Sequence, residues 1–425
     1  MTTQFLHGVE TVEVPSASQP VALNPSGVIG IVGVADGADP DAFPLNEPVL
    51  LNSQPTLALK LNATTPSSGD PGTLLASVQQ AYAEGAGQVV VVRVAGSMTS
   101  GAPNIATEIS NVIGSASAKT GLYALLAARS HVGVQPRTII APGFTSYQPT
   151  VTGGGLGANP VVSAALPIAA KLRGRVYADT PATSDTAAQA YRELYSDARL
   201  VIFYPNVLVW DTASSQYLTR PASASAAGLT ARVHRDLGFW YSPSNQVFAG
   251  VGGTSSPIDW AMSDPDCEAN TLNGNQITTI VNLGQNGEPR YSGWRRWGNR
   301  NCAEDTNYQF EAVRTTLDMI YDALDEVTLW AVDKPPSPQL LRDATNRVND
   351  FFKWGKAIGF LVGGRCWLDP EQNPSSQLSQ GIWTWSIDPE APAPMEHIIY
   401  RSTPNPDYYT QEVAALASLV AVNGG

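Results

Sequence analysis

The chain has 425 residues, of which 43% are hydrophobic and 15% are charged, so it can bury two or three cores and extensive disorder is not expected. Its 37 acidic residues outnumber the 25 Lys and Arg residues, and the formal net charge of -12 argues against a nucleic-acid partner. The longest apolar runs, such as Val89 to Val92, are shorter than the ~18 residues that span a bilayer, so no direct membrane contact is expected.

The cysteines and histidines show no spacing that is typical of a metal site or a disulfide framework. Cys267, Cys302 and Cys366 are odd in number and far apart, which favours reduced core thiols and synthesis in a reducing cytosol. The four histidines lack the i, i+4 pairing of a zinc helix. The first residues, MTTQFLHGVETVEV, have neither the basic nor the apolar stretch of a signal peptide.

The first third of the chain predicts a terminal arm and then buried strands. Phe5 to Val14 is rich in β-forming residues and leads into a proline-containing linker at Pro15 to Pro20, so we expect an extended arm. The apolar run GVIGIVGV, from Gly27 to Val34, predicts a strand buried on both faces, and Gln88 to Val94 repeats its character. Leu74 to Ala83 is predicted as a helix between them.

Helical and extended segments continue to alternate: Ile105 to Ile113 helical, Arg137 to Ala141 extended, Val161 to Leu172 helical, Arg175 to Ala178 extended, Ala187 to Tyr195 helical, and Leu200 to Tyr204 extended. This alternation predicts a parallel or mixed sheet covered by helices, which is an α/β fold. Turn signals then crowd together after Gly250, so a domain junction is predicted near Ala249.

The last third predicts a helix pair. The first helix carries one apolar stripe, formed by Phe310, Val313, Leu317, Ile320, Leu324 and Val327. The second begins at Ser337 and Pro338, a capping residue followed by the proline favoured at the first helical position. Two strands, Ile382 to Ile387 and Glu396 to Arg401, and a helix at Tyr408 to Val420 are predicted to follow.

No segment carries the residues that an active site would need. The glycines Gly27, Gly30 and Gly33 lie inside an apolar strand rather than in a phosphate-binding turn, and Gly153 to Gly157 lacks a following Lys-Ser/Thr pair. The acidic helix face at Asp318, Asp322, Asp325 and Glu326 favours solvation or pairing at a subunit contact over catalysis. We therefore predict no catalytic, cofactor-binding or metal site and no cofactor.

The segment WRRWGNR, from Trp294 to Arg300, interleaves aromatic and basic residues. Such a pattern can stack on bases, but the acidic chain opposes that role. Arg and Trp also anchor packed turns and protein interfaces, so either a structural turn or a subunit contact is expected.

Several segments together resemble the tail sheath proteins of P2-like phages and, more distantly, the sheaths of R-type pyocins and other contractile injection systems. These segments are HGVETVEV at His7 to Val14, FPLNEPVLL at Phe43 to Leu51, LVWDT at Leu208 to Thr212, RRWGNRNCAED at Arg295 to Asp305, WAVDKP at Trp330 to Pro335, and LLRDATNRVNDFF at Leu340 to Phe352. The chain departs from the pattern at Ala63 to Gly72, Thr150 to Pro160 and Asn270 to Pro289.

The resemblance implies an inner domain built from both chain ends, an outer α/β domain, and extended terminal β arms. It suggests an N-terminal arm and linker at 1–22, an outer α/β domain at 23–249, an inner sheath domain with the helix pair at 250–393, and a C-terminal arm at 394–425. The residues expected in the inter-subunit arms are Phe5, His7, Gly8, Val9, Val12, Val14, Ile398, Ile399 and Tyr400. Those expected to form a structural motif are Trp297, Gly298, Asn299, Arg300, Trp330, Asp333 and Lys334.

The function that this resemblance implies is structural. Subunits would polymerise helically around a tail tube, as stacked hexameric rings, and contract to drive the tube through the host envelope. The expected partners are further copies, the tail tube protein, the baseplate and the tail terminator, in a virion tail assembled in the host cytoplasm. The helix from Pro338 to Lys353 is a candidate tube contact. A static tail tube or capsid protein, or a nucleotide-binding α/β enzyme, are the alternatives.

Overall fold

A computed structural model of the chain describes residues 25–64, 71–99, 102–212, 214–286 and 293–422. The predicted N-terminal arm, with Phe5, His7, Gly8, Val9, Val12 and Val14, lies outside the described residues. The strands are β1 (Ile29–Val34), β2 (Pro48–Asn52), β3 (Gln88–Val94), β4 (Met98–Thr99), β5 (Ala102–Pro103), β6 (Thr138–Ile140), β7 (Arg175–Asp179), β8 (Leu200–Phe203), β9 (Val207–Asp211), β10 (Gln216–Arg220), β11 (Val251–Thr254), β12 (Ile277–Asn282), β13 (Trp294–Trp297), β14 (Cys366–Leu368) and β15 (Trp385–Ile387). The α-helices are α1 (Pro55–Ala58), α2 (Leu74–Ala83), α3 (Ile105–Ile113), α4 (Ala128–Val132), α5 (Pro160–Lys171), α6 (Asp185–Arg192), α7 (Ala222–Asp236), α8 (Glu268–Gly274), α9 (Glu311–Leu329), α10 (Pro338–Ile358), α11 (Ser375–Leu378) and α12 (Asp407–Val422).

An eight-stranded sheet with the order β13-β12-β8-β7-β6-β1-β3-β2 organises the chain. The neighbours from β12 to β3 pair in parallel, whereas the edge strands β13 and β2 pair antiparallel. The prediction of a mixed sheet in an α/β fold is therefore confirmed. A separate three-stranded sheet has the order β10-β9-β11.

The inner strands are buried on both faces, as their continuous apolar runs predict. On one face Val90 and Val92 belong to a core that also contains residues of α3, α5 and α6, and on the other Val89 and Val91 belong to a core that contains residues of α2 and α7. Gly30 fits this close packing, because a Cβ there would lie 2.9 Å from Cβ of Pro136. The strand glycines thus serve packing.

The helix α7 was not predicted from the sequence. Its segment, ASASAAGLTARVHRD, is rich in Ala and Ser, and most of its residues are buried between α2 and the sheet. A helix covered on most of its surface shows no clear apolar stripe, so periodicity gives little signal.

The predicted junction near Ala249 does not interrupt the sheet. The strands β12 and β13 come after this position, yet β12 pairs with β8 from the earlier part of the chain. The structure instead divides into two compact units, Met1–Pro394 and Met395–Gly425. The second unit begins one residue after the predicted start of the C-terminal arm, while the division into outer and inner domains stays a prediction.

The predicted helix pair forms a third core. The apolar stripe of α9 packs with α10, and Ile320, Phe352 and Phe360 are fully or almost fully buried there. Ser337 caps α10, its Oγ accepting a hydrogen bond from the backbone N–H of Leu340 at 3.1 Å. The strands β14 and β15 pair antiparallel beside these helices.

Candidate assembly site

The C-terminal unit exposes its apolar side chains. Every residue from 395 to 419 is exposed, including Ile398, Ile399 and, at 90%, Tyr400. The helix α12 adds the exposed residues Tyr408, Tyr409, Val413, Leu416 and Leu419. Exposed apolar surface of this extent is typical of segments that contact another molecule.

The predicted strand at Glu396 to Arg401 is not formed in the single subunit. Residues 395–405 are neither helix nor strand. A strand is defined by hydrogen bonds to a neighbouring strand, so a segment cannot be assigned as one until a partner pairs with it. The predicted strand at Ile382 to Ile387 is formed only over its last residues, as β15.

The small sheet of β14 and β15 lies beside an apolar groove. It has two strands within the described residues, and each contains only three residues. A groove of about 850 Å³ lies between the end of α9, the start of α10 and β15, and its lining includes Leu324, Leu341, Val348, Trp383 and Trp385. Two-stranded sheets are marginal in water, so an added strand would stabilise this one.

The motif at Trp297 to Arg300 packs inside the subunit. Trp297 meets Trp260 edge to face, with 5.4 Å between the ring centroids. Gly298 has φ of 138°, and a Cβ at this position would lie 2.5 Å from Oδ1 of Asn273, so only glycine fits. The backbone carbonyl of Asn299 accepts a hydrogen bond from the backbone N–H of Glu311. The guanidinium carbon of Arg300 lies 6.0 Å from the ring centroid of Phe310. The motif therefore joins the sheet edge to α9.

The neighbouring Arg296, a residue of β13, has a fully buried side chain. Its guanidinium forms an ion pair with Glu311 and donates to the hydroxyl of Tyr177 at 3.1 Å. It also lies 5.3 Å from the Tyr177 ring centroid and 5.1 Å from that of Phe203. Burial and the adjacent carboxylate of Glu311 raise the pKa of Tyr177, so its hydroxyl stays protonated.

A row of ion pairs continues along the same face of α9, and we call it the arginine seam. The two Asp318 oxygens accept from Arg199 at 2.5 and 2.8 Å, and Oδ1 of Asp318 also accepts from Arg314 at 2.9 Å. Asp322 pairs with Arg137 and, at 2.9 Å, with Arg173. The seam consists of Arg137, Arg173, Arg175, Arg199, Arg296 and Arg314 with Glu311, Asp318, Asp322 and Asp325.

The seam accounts for most of the acidic helix face that the sequence shows. Asp318, Asp322 and Asp325 are paired with arginines of the same subunit, whereas Glu326 is exposed. Arg296 comes from β13 and Arg314 from α9 itself. The other four arginines come from the starts of β6, β7 and β8, more than a hundred residues earlier, so only the folded chain brings them to α9.

The remaining motif residues surround the turn after α9. The Nζ of Lys334 lies 5.0 Å from the ring centroid of Trp330, and the guanidinium carbon of Arg347 lies 4.4 Å from it. Asp333 has φ of 62°, which fits a left-handed turn position. These contacts fix the connection between α9 and α10, and contact with another subunit stays a prediction for this motif.

The three cysteines are buried thiols. Burial raises the pKa of Cys302 to about 12 and that of Cys366 to about 11, so both stay protonated and unreactive. In the described part of the chain, no group of three or more His, Cys, Asp or Glu side chains is placed to hold a metal ion. Across those same ranges, no helix has the length and apolar character needed to cross a membrane.

The fold is that of contractile injection system sheaths. The chain matches the helical sheath of the anti-feeding prophage in its contracted state with a TM-score of 0.65 and 18% identity, over 95% of this chain and 100% of that one. It matches the contracted PVC sheath complex with a TM-score of 0.63 and 16% identity, over 96% and 100% of the two chains. These likenesses define the class of protein by its fold.

Sequence relatives identify the family. The chain is 30% identical to the tail sheath protein of Escherichia phage P2, over 98% of this chain and 100% of that protein. It is 34% identical to a putative prophage major tail sheath protein of Pseudomonas aeruginosa strain UCBPP-PA14, over 90% of this chain and 92% of that protein. The model of the phage tail sheath C-terminal domain matches residues 303–403. The chain belongs to the phage tail sheath family, and it is a structural, non-enzymatic subunit of a contractile tail.

Proposed function

We propose that copies of this chain polymerise through exchanged terminal arms around a tail tube protein. The subunits form stacked hexameric rings in a helical sheath, held between the baseplate and the tail terminator and assembled in the host cytoplasm. Contraction of this sheath drives the tube through the host envelope. The exposed apolar C-terminal unit is the observation that carries the proposal.

The arms of neighbouring copies fit the small sheet of β14 and β15. A segment such as 395–401 can satisfy its backbone groups by adding to a free strand edge. Its side chains Ile398, Ile399 and Tyr400 would meet the apolar groove beside that sheet, which removes both exposed surfaces from water.

One arm alone should bind weakly. Each added backbone hydrogen bond contributes about 1 kcal/mol, and ordering each arm residue costs about 1 to 2 kcal/mol. Many arms closed into one lattice bind strongly because each is held near its partner by the others. Free energy stored in an extended lattice at assembly can then drive contraction without a nucleotide.

Deletion of either arm tests the proposal. We expect subunits that lack Met1–Val14, or that lack Met395–Gly425, to keep native circular dichroism and to form no long cylinders by negative-stain microscopy. The full chain should form wide hollow cylinders. Normal cylinders from both deletion variants would contradict arm exchange.

Point substitutions sharpen the same test. Val9→Pro and Ile399→Pro remove a backbone donor that a paired strand needs, so both should reduce cylinder formation. The matched control is Ile399→Val, which keeps the N–H and a β-branched side chain and should assemble normally. Assembly of Ile399→Pro at the level of Ile399→Val would show that residue 399 does not pair as a strand.

A further inference from the structure

A small cavity lies within the arginine seam, between α9 and the sheet. Its volume is about 20 Å³, and Arg137, Arg175, Arg314, Glu311 and Asp318 contribute to its lining. A single bound water needs about 10 to 15 Å³, so the cavity has room for a small ligand.

The charges around this cavity do not balance. The charged side chains of its lining are four arginines, Arg137, Arg173, Arg175 and Arg314, and two carboxylates, Glu311 and Asp318, which leaves an excess of two positive charges. The whole seam, with six arginines and four carboxylates, has the same excess. Arg175 and Arg296 share Glu311, while Arg199 and Arg314 share Asp318. Buried charge without a counter-charge is strongly unfavourable, so this imbalance favours an anion.

A buried histidine responds to the same positive potential. Nδ1 of His234 lies 3.5 Å from Nη2 of Arg175. The pKa of His234 is well below its usual value, first because of burial and then because of the charge of Arg175, with a further contribution from Arg296. The histidine therefore stays neutral and adds no further positive charge.

Two arginines of the cavity lining have an unpaired donor. Among the described residues, no acceptor pairs with Nε–H of Arg137 or with Nε–H of Arg314. The Arg137 side chain is only 4% exposed, so solvent does not readily satisfy its donor. A buried donor without an acceptor costs free energy, and the cost is larger when the donor belongs to a charged guanidinium than when it belongs to a neutral group.

We propose that this cavity is a binding site for one chloride ion, held by Arg137 and Arg314. Chloride fits the small volume, the excess positive charge and the two unpaired donors. A water molecule fits the volume and can accept from the donors, but it does not compensate the positive charge. The bound ion would join α9 to the sheet inside one subunit, so the proposal does not depend on how subunits assemble.

Thermal unfolding of the full chain tests the site. At constant ionic strength, replacing gluconate by chloride should raise the Tm by about 1 to 3 °C, because a ligand that binds only the folded state stabilises it. Arg314→Gln should lose most of this shift. Asp318 keeps its two bonds to Arg199 in that variant, so the fold is expected to survive. The matched control is Arg235→Gln, at an exposed pair outside the seam, which should keep the full shift.

Bromide locates the ion without any substitution. Crystals of the full chain soaked in bromide should give an anomalous difference peak between Arg137 and Arg314. No peak in the seam, or an equal chloride shift in Arg314→Gln and Arg235→Gln, would overturn the proposal and leave the cavity to water.

Discussion

The two long faces of α9 differ in how they hold the helix in place. The face toward α10 carries Ile320 and other apolar residues, which are buried without directional contacts. The face toward the sheet carries Glu311, Asp318 and Asp322, each paired with particular arginine atoms. Apolar burial tolerates small shifts, whereas an ion pair requires a set distance and angle. The apolar face therefore provides cohesion, and the seam fixes the position of α9.

The largest effect is expected at the seam. Glu311→Gln removes the carboxylate shared by Arg175 and Arg296 while keeping the side-chain shape, so two buried cations lose their partner. We expect a loss of about 3 to 5 kcal/mol in the free energy of unfolding. Urea unfolding of the subunit measures this, with Glu326→Gln, an exposed position on the same helix, as the control. A loss below that of Glu326→Gln would show that the seam does not stabilise the subunit.

The apolar face should respond to loss of volume. Ile320→Ala leaves a cavity between α9 and α10 and should lower the free energy of unfolding by roughly 3 kcal/mol. The conservative change Ile320→Val should cost about 1 kcal/mol. If the two substitutions cost the same, packing on this face is looser than the buried fractions indicate.

His234 makes stability depend on pH. Its pKa in the folded chain is lowered by burial and by Arg175, so the unfolded chain takes up the proton first as the pH falls. The contribution of His234 to the free energy of unfolding is therefore fully present above the unfolded pKa of about 6.5. Below that pH, each pH unit lowers the free energy of unfolding by up to about 1.4 kcal/mol. His234→Gln should reduce the difference between the free energies of unfolding at pH 7.5 and at pH 5.5. An identical pH profile for the two proteins would exclude His234 as its source.

The smallest effect is expected at the open end of the seam. Asp325 pairs with Arg173 at 2.6 Å, but its side chain is 69% exposed. Asp325→Asn should cost less than about 1 kcal/mol, because solvent screens exposed pairs, and added salt should remove the difference. A cost comparable to that of Glu311→Gln would mean that the whole seam acts as one buried network.

Local elements were largely predictable from the sequence, and long-range partners were not. The spacing of apolar residues located α9, and the apolar run of β3 located that strand, because both patterns repeat within a few residues. The Ala- and Ser-rich helix α7 was not predicted, because a helix buried on most sides lacks the alternation of apolar and polar faces that marks a helix in the sequence. The arginines that meet α9 could not be assigned, since their proximity depends on strand order. The segment 395–401 is not a strand in the single subunit, and its pairing with another subunit stays a proposal.

The late position of β12 in the chain bears on biosynthesis. Since β12 lies next to β8, the sheet keeps an open edge at β8 until residues near 282 have left the ribosome. The arginines around β6 and β7 also wait for the carboxylates of α9, which come later still. At about 5 to 20 residues per second, that interval lasts several seconds. A nascent chain with an unpaired parallel edge and unmatched cations is a natural substrate for chaperones, and slow translation past β8 should increase its aggregation.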